Sequence, residues 1–398
     1  MANGGTITAV DPVLNPFTPG AGSRPYALVG RDRELRNFEI AVKRLAQGRP
    51  AKSQMLTGLR GVGKTVLLRE FARTAQSQGW VHEQLEATED LRFVEAIATL
   101  TRKALLDLSA AKRLADRVRR VSGVLRAFRI TWKLPEGVDI KIDPVSGPAD
   151  SGMLDDDLAG LFVELGTLAR EHESGVLFTI DEVQYLSKEH LAALIVGLHR
   201  VSQEELPFLI AGAGLPSLPG LAGEAKSYAE RLFDFPSIGS LSDDDARAAL
   251  AAPAKEQGIT WEPAAIERIV EVSEGYPYFL QEFGKQSWDL AKGPRKIRAV
   301  DVERAEPIAV DELDTGFFRA RVDRTSDTER NYLRAMASLG GPGPYQSSAV
   351  ARALHKKTTQ LGPIRDNLIK RGLCYSPRWG QIAFTVPMFD QFVRRTLS

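Results

Sequence analysis

The stretch Gly58-Leu59-Arg60-Gly61-Val62-Gly63-Lys64-Thr65 decides how this chain of 398 residues is read. Its spacing is G-x-x-x-x-G-K-T. Such spacing also arises by chance, so the flanks carry the argument. Before it, Gln54-Met55-Leu56-Thr57 suits a short buried strand. After it, Val66-Leu67-Leu68-Arg69-Glu70-Phe71-Ala72 places apolar residues at helical spacing. Strand, glycine loop and helix together make a phosphate cradle. Glycines let the backbone turn its N–H groups inward, and the helix N-terminus adds a favourable dipole. In that cradle Gly58, Arg60, Gly61, Val62, Gly63 and Val66 surround the phosphates, Lys64 reaches the β- and γ-phosphates, and the Thr65 hydroxyl ligates Mg²⁺. The expected ligand is a nucleoside triphosphate.

A second segment fits the same chemistry. Gly175-Val176-Leu177-Phe178-Thr179-Ile180 is a continuous apolar run, suited to a strand buried on both faces, and Asp181-Glu182 follow it directly. Two adjacent carboxylates at the end of a buried strand have little structural purpose. Beside a triphosphate each has one: Asp181 holds Mg²⁺, and Glu182 polarises the attacking water as general base. A glutamate at position 182 favours hydrolysis over passive binding.

Around these motifs strands and helices alternate, the pattern of a parallel, doubly wound α/β sheet. A helix is expected to about Gly48, a strand near Trp80–Leu85, helices at 91–120, 154–173 and 188–201, and a buried strand over Phe208–Ala213. Residues 1–25, rich in Pro, Gly, Asn and Thr without apolar periodicity, read as a mobile leader. Residues 127–143 alternate apolar and polar around Pro135-Glu136-Gly137, a β-hairpin signal. The divisions expected are a nucleotide-binding core over 26–237, an all-helical lid over 238–312, and a third unit over 325–398.

Composition is that of a globular protein, 43% hydrophobic and 26% charged. No apolar run approaches the roughly 18 residues of a membrane span, and no secretory signal is visible at the N-terminus. The single cysteine, Cys374, excludes an intrachain disulfide and any multi-cysteine metal site, and burial as a small hydrophobe is its expected role. The five histidines are scattered without metal spacing. These features fit a cytoplasmic protein. The net charge of +1 conceals an asymmetry: residues 325–398 hold 11 Lys/Arg against 4 Asp/Glu, and the first 324 hold 41 against 47.

With GLRGVGKT, VLFTIDE and the opening LVGRDREL in place, the chain resembles an AAA+ ATPase. More closely, it resembles the branch containing archaeal and eukaryotic origin-recognition initiators and the signal-transducing STAND ATPases. The resemblance implies a P-loop NTPase core with a helical lid, ATP with Mg²⁺ as ligand, and nucleotide-dependent assembly of copies of the chain. It also implies that Val29, Gly30 and Arg31 lie beside the adenine. Arg231 occupies the place of an arginine finger, which completes a neighbour's site by stabilising transition-state charge; a surface arginine on a helix reads the same. Gly275-Tyr276-Pro277-Tyr278 stands where similar lids read Gly-x-Pro-Arg. Gly275-Tyr276-Pro277 is therefore expected to close over the adenine and ribose, with Pro277 among the binding residues, while Tyr278 replaces the sensing arginine. Ala211-Gly212-Ala213-Gly214 lacks the usual polar sensor, unless Ser217 serves. Both departures imply slow or partner-dependent turnover.

Residues 326–339, 347–354 (with Ser347 as N-cap) and 358–371 read as three helices, the last with Leu361, Ile364, Leu368 and Ile369 inward. Strands at 372–376 and 381–385 flank a turn at 377–380. Three helices and a two-stranded wing resemble a winged helix, whose third helix enters the DNA major groove. Candidate DNA contacts are Lys356, Lys357, Thr358, Thr359, Gln360 and Arg365, with Arg378 and Trp379 at the wing tip. The local charge supports phosphate contact with double-stranded DNA. A winged helix used against protein, or as a rigid cap, has the same pattern. The basic run Lys112, Arg113, Arg117, Arg119 and Arg120 reads either as a second DNA contact or as a solvated helix face.

Overall fold

In the computed structural model the described residues are 10–20, 22–110, 153–341 and 343–397. The expected hairpin at 127–143 and the basic run 112–120 lie outside them. They fall into two compact units, one of Arg33–Thr57 with Leu67–Ser237, the other of residues up to Asp32, Gly58–Val66 and Ile238 onward.

The first unit is built from α1 Asp32–Ala46, β1 Ser53–Thr57, α2 Lys64–Ser77, β2 Val81–Glu86, α3 Phe93–Ala110, α4 Leu154–Glu171 and β3 Val176–Asp181. It continues with α5 Lys188–Gln203, β4 Phe208–Gly214, α6 Leu218–Ala225, α7 Ala229–Leu232 and β5 Phe233–Asp234. The five strands form one sheet in the order β2-β3-β4-β1-β5, and every pairing is parallel. β1 and β4 are buried along their whole length, as strands covered on both faces must be.

The helices follow from their sequences. α4 opens with Asp155, Asp156 and Asp157, which complement the helix dipole, and buries Leu158, Leu161, Phe162, Leu165 and Leu168 at helical spacing. α5 is capped by Ser187, whose hydroxyl accepts from His190 N at 3.1 Å. The two pack closely because Gly197 is bare: a Cβ there would lie 2.7 Å from the Phe162 ring. Phe162, Phe178 and Phe208 then meet at 4.6–5.8 Å between ring centroids. Burying each such ring stabilises the fold by about 2–3 kcal/mol. On another part of this unit Phe38 and Phe71 stack at 4.1 Å. Burial pushes the His82 imidazole down to about 4, so it is a neutral partner to the Thr179 hydroxyl, 2.9 Å away.

In the second unit a lid is made by α8 Asp243–Glu256, α9 Pro263–Ser273, α10 Pro277–Asp289 and α11 Ala299–Glu312. It is not all-helical as expected: β6 Thr260–Trp261 and β7 Lys296–Ile297 pair in parallel. These two-residue strands are too short to produce an alternating pattern. The leader differs too. Phe17 is 2% exposed and meets Trp261 and Trp288 edge-on. Asn15 donates to Lys285 O and to Asp289, and Trp288 donates to Asp11 O. One aromatic anchor orders residues 11–17 despite their loop-like composition, and Gly284 makes room for it.

A π-helical turn, Leu313–Arg319, and the short α12 Ala320–Val322 lead to α13 Asp327–Ser338, β8 Tyr345–Gln346, α14 Ser347–Ala353, α15 Thr358–Lys370, β9 Cys374–Tyr375, β10 Gln381–Phe384 and α16 Phe389–Thr396. The sheet order is β8-β10-β9, antiparallel, and this succession of elements is the winged-helix arrangement. α13 carries a reciprocal capping box between Ser326 and Glu329. Ser347 begins α14 without capping it, since the N-cap is Gln346. Leu361 and Leu368 are buried, with Ile364 and Ile369 half-buried beside them. Cys374 is fully buried, and desolvation raises its thiol pKa, as suits a packed hydrophobe.

Candidate nucleotide site and winged-helix surface

The glycine loop leaves β1 in sequence and enters α2. Gly61 and Gly63 have φ of +86° and +94°, the left-handed region that side chains disfavour. At Gly58 the constraint is contact: a Cβ would lie 2.2 Å from Ile238 O. Every carbonyl from Gly58 to Val62 accepts a hydrogen bond. Lys64, only 8% exposed, donates its ammonium to Gly58 O at 2.9 Å and Leu59 O at 2.7 Å. The Tyr276 hydroxyl donates to Arg60 O, Tyr278 N to Gly61 O at 3.3 Å, and Arg31 to Val62 O at 3.2 Å. A loop with its oxygens fixed in this way keeps the anion-repelling side of its backbone occupied, and that is what a phosphate cradle requires.

The surroundings explain the neighbouring motifs. Arg31 also donates to Gly239 O at 2.6 Å, tying the Val29-Gly30-Arg31 segment to the loop. Pro277 is the first residue of α10, where a missing N–H costs nothing. Sequence reading weighed Tyr278 as the lost sensor arginine and expected Gly275-Tyr276-Pro277 over the adenine and ribose; the structure also puts the Tyr276 hydroxyl on the loop. The Tyr276 ring is 1% exposed, desolvation raises its phenol pKa, and its hydroxyl is the group on the loop. The Tyr278 ring instead lies 4.5 Å from Phe317. Phe317 continues into Phe318, which meets Phe389 and Phe392 of α16 at 5.5 and 5.2 Å. Arg60 extends to Gly372, where a Cβ would lie 2.7 Å from its Nε.

In the sheet unit, Asp181 ends β3 opposite Glu86 of β2, and its Oδ1 accepts from Glu182 N at 2.8 Å. Glu182 adopts φ 53°, ψ 40°, a conformation costing about 1–2 kcal/mol for a residue with a side chain. Such strain accumulates at functional sites. Gln184, which sequence reading did not single out, donates to Glu182 Oε2 and accepts from Leu215 N at 3.1 Å. Ser217, the sensor candidate, is exposed at the N-cap of α6. Thr65 and Asp181 offer hard oxygen donors suited to Mg²⁺. No cluster of three His, Cys, Asp or Glu fit for another metal occurs among the described residues.

Arg231, exposed in α7, stands just before Phe233, which pairs with Ser53 at the start of β1. It is therefore at the amino edge of the sheet, opposite the edge where β3 ends in Asp181.

Residues 27–210 match the family described as "AAA ATPase domain". This part of the chain is an AAA ATPase domain. Residues 315–393 match a second family, described as "Domain of unknown function (DUF8462)". No curated protein matches the sequence. Among solved structures, a Walker-type ATPase of Pyrococcus abyssi is similar at 18% identity and a TM-score of 0.59, over 95% of this chain and 99% of that one. At that identity the likeness is one of fold. The Thermotoga maritima RuvB Holliday junction branch migration motor follows at 16% identity and TM-score 0.48, over 91% and 96% of the two chains. The Aeropyrum pernix Orc1 protein in complex with DNA follows at 14% and 0.42, over 94% of each.

On the winged helix, Lys356, Lys357, Thr358, Thr359, Arg378 and Trp379 are exposed, and so is Gln360, whose Oε1 accepts from Lys357 N. Arg365 is not outward-facing as expected. Its guanidinium donates to Ser376 Oγ at 2.9 Å and pairs with Asp366, so it braces the wing. No described helix is long and apolar enough to cross a membrane.

Proposed function

We propose that the chain is an ATP-dependent switch in which the nucleotide state of the AAA domain sets binding by the winged helix. The observation that carries this is the engagement of all five carbonyls from Gly58 to Val62, two of them by lid residues Tyr276 and Tyr278. A nucleotide that draws Lys64 away from Gly58 O and Leu59 O changes the same loop that the lid holds. From there the contacts run through Tyr278, Phe317 and Phe318 to α16, and separately through Arg60 to Gly372.

In this reading Gly58, Arg60, Gly61, Val62, Gly63 and Val66 present backbone to the phosphates, and Lys64 neutralises the β- and γ-oxygens. Thr65 and Asp181 would hold Mg²⁺, which when bound would offset negative charge on the phosphates. Val29, Gly30, Arg31 and Pro277 border the base. Glu182 takes the proton of the attacking water. Arg231, on the far edge of its own sheet, supplies its charge to the site of a neighbouring copy.

For the winged helix we propose double-stranded DNA as partner, through Lys356, Lys357, Thr359, Gln360 and Arg378. Neutralising Lys356 and Lys357 together is expected to weaken binding of any duplex roughly 10-fold and to flatten the log–log salt dependence by about 2. Fluorescence anisotropy over a salt series checks it. A second reading is favoured by the contact of Arg60 with Gly372: a STAND-like signalling ATPase with little turnover, in which the winged helix caps the loop and its partner is a protein. Unchanged duplex affinity in the double variant would move the assignment there.

A further inference from the structure

β4 ends in Ala211-Gly212-Ala213-Gly214, with no side chain able to hydrogen-bond. The absence has packing causes. A Cβ on Gly212 would lie 2.2 Å from Met55 Sδ, and one on Gly214 would lie 2.9 Å from Gln184 Oε1. The space beside the end of β4 is therefore held by Gln184, which arrives from the turn after β3. Its carboxamide is oriented by two partners of opposite kind. Oε1 accepts from Leu215 N at 3.1 Å, which obliges Nε2 to face the other way, where it donates to Glu182 Oε2. A carboxamide satisfies a backbone donor and a carboxylate acceptor at once.

We infer that Gln184 is the positioning residue for Glu182, tying the carboxylate to the end of β4 and replacing the polar group that β4 lacks. The inference rests on Glu182 being the general base. The bond to Oε2 restrains the carboxylate plane. Glu182 stands in a left-handed turn between β3 and the following 3-10 turn, and Gln184 supplies a tether to its carboxylate. Small errors of orientation are costly in proton transfer, and groups that orient a reacting residue are worth about 10–100-fold.

The test is single-turnover ATP hydrolysis with the protein in excess, beside nucleotide affinity, for Gln184→Ala, Gln184→Glu and Glu182→Gln. Gln184→Ala is expected to slow hydrolysis about 10–100-fold with nucleotide affinity within about 2-fold of the parent. Gln184→Glu sets a carboxylate against a carboxylate and is expected to slow hydrolysis at least as much as Gln184→Ala, again with nucleotide affinity nearly unchanged. A purely structural role at the end of β4 would not slow hydrolysis while sparing nucleotide affinity. Parent-like hydrolysis in Gln184→Ala, with Glu182→Gln inactive, overturns the role of Gln184 alone. Parent-like hydrolysis in Glu182→Gln, or no turnover in the parent, overturns the base assignment and this inference with it.

Discussion

Lys64→Ala is expected to lower ATP affinity by about 100-fold or more. The ammonium sits in the glycine loop at 8% exposure, donating to Gly58 O and Leu59 O. A bound triphosphate brings several negative charges to the same place. A hydrogen bond to a charged group is worth about 1.5–3 kcal/mol, so losing one or two costs about 3 kcal/mol, or roughly 150-fold in affinity. The substitution also removes two bonds that shape the loop. Lys64→Met, which keeps the aliphatic stem, should lose affinity similarly while melting close to the parent. Titration with a fluorescent ATP analogue measures both. Retained affinity in either variant would remove the loop from the nucleotide site.

Glu182→Gln is expected to separate binding from chemistry. Its side chain keeps the shape of glutamate and can still accept from Gln184 Nε2, so ATP affinity should stay within about 2-fold. What it loses is the proton-accepting group, a contribution of about 10²–10⁴ in rate. Single-turnover hydrolysis should fall by that factor while bound ATP accumulates. A rate unchanged within error would show that another group activates the water.

Legibility in the sequence followed from how local each signal is. β1, the glycine loop and α2 are contiguous, and so are β3 and Asp181-Glu182, so these elements were readable from spacing alone. Helices α4 and α5 announced themselves through apolar periodicity and, for α5, the Ser187 cap. The leader misled because a single buried aromatic, Phe17, outweighs the composition of the ten residues around it. β6, β7 and β8 are two residues each, below the length at which alternation is visible. Arg365 looked like a DNA contact because its position on α15 is solvent-side by periodicity, yet the Ser376 hydroxyl folds the guanidinium back. The bond of the Tyr276 hydroxyl to Arg60 O and that of Leu215 N to Gln184 join residues distant in sequence, and distance of that kind leaves no mark in spacing. The hint for Gln184 was present in negative form, as two glycines where a polar group was expected.

The departure at Tyr278 also reads differently once placed. Its backbone N–H holds Gly61 O and its ring leads into the Phe317–Phe318–α16 series. In the proposed switch this position joins the loop to α16. That arrangement suits a slow switch whose output is conformational better than a rapid motor.

The central claim is that one nucleotide site, completed by a second copy of the chain, drives the winged helix. Steady-state ATP hydrolysis by the purified protein and by Arg231→Ala, with and without duplex DNA over a protein-concentration series, tests it most directly. The account predicts that DNA stimulates turnover by the parent, that the rate rises more steeply than linearly with protein concentration, and that Arg231→Ala loses that rise. Tight ATP binding with a rate per molecule indifferent to DNA, concentration and Arg231 would contradict it.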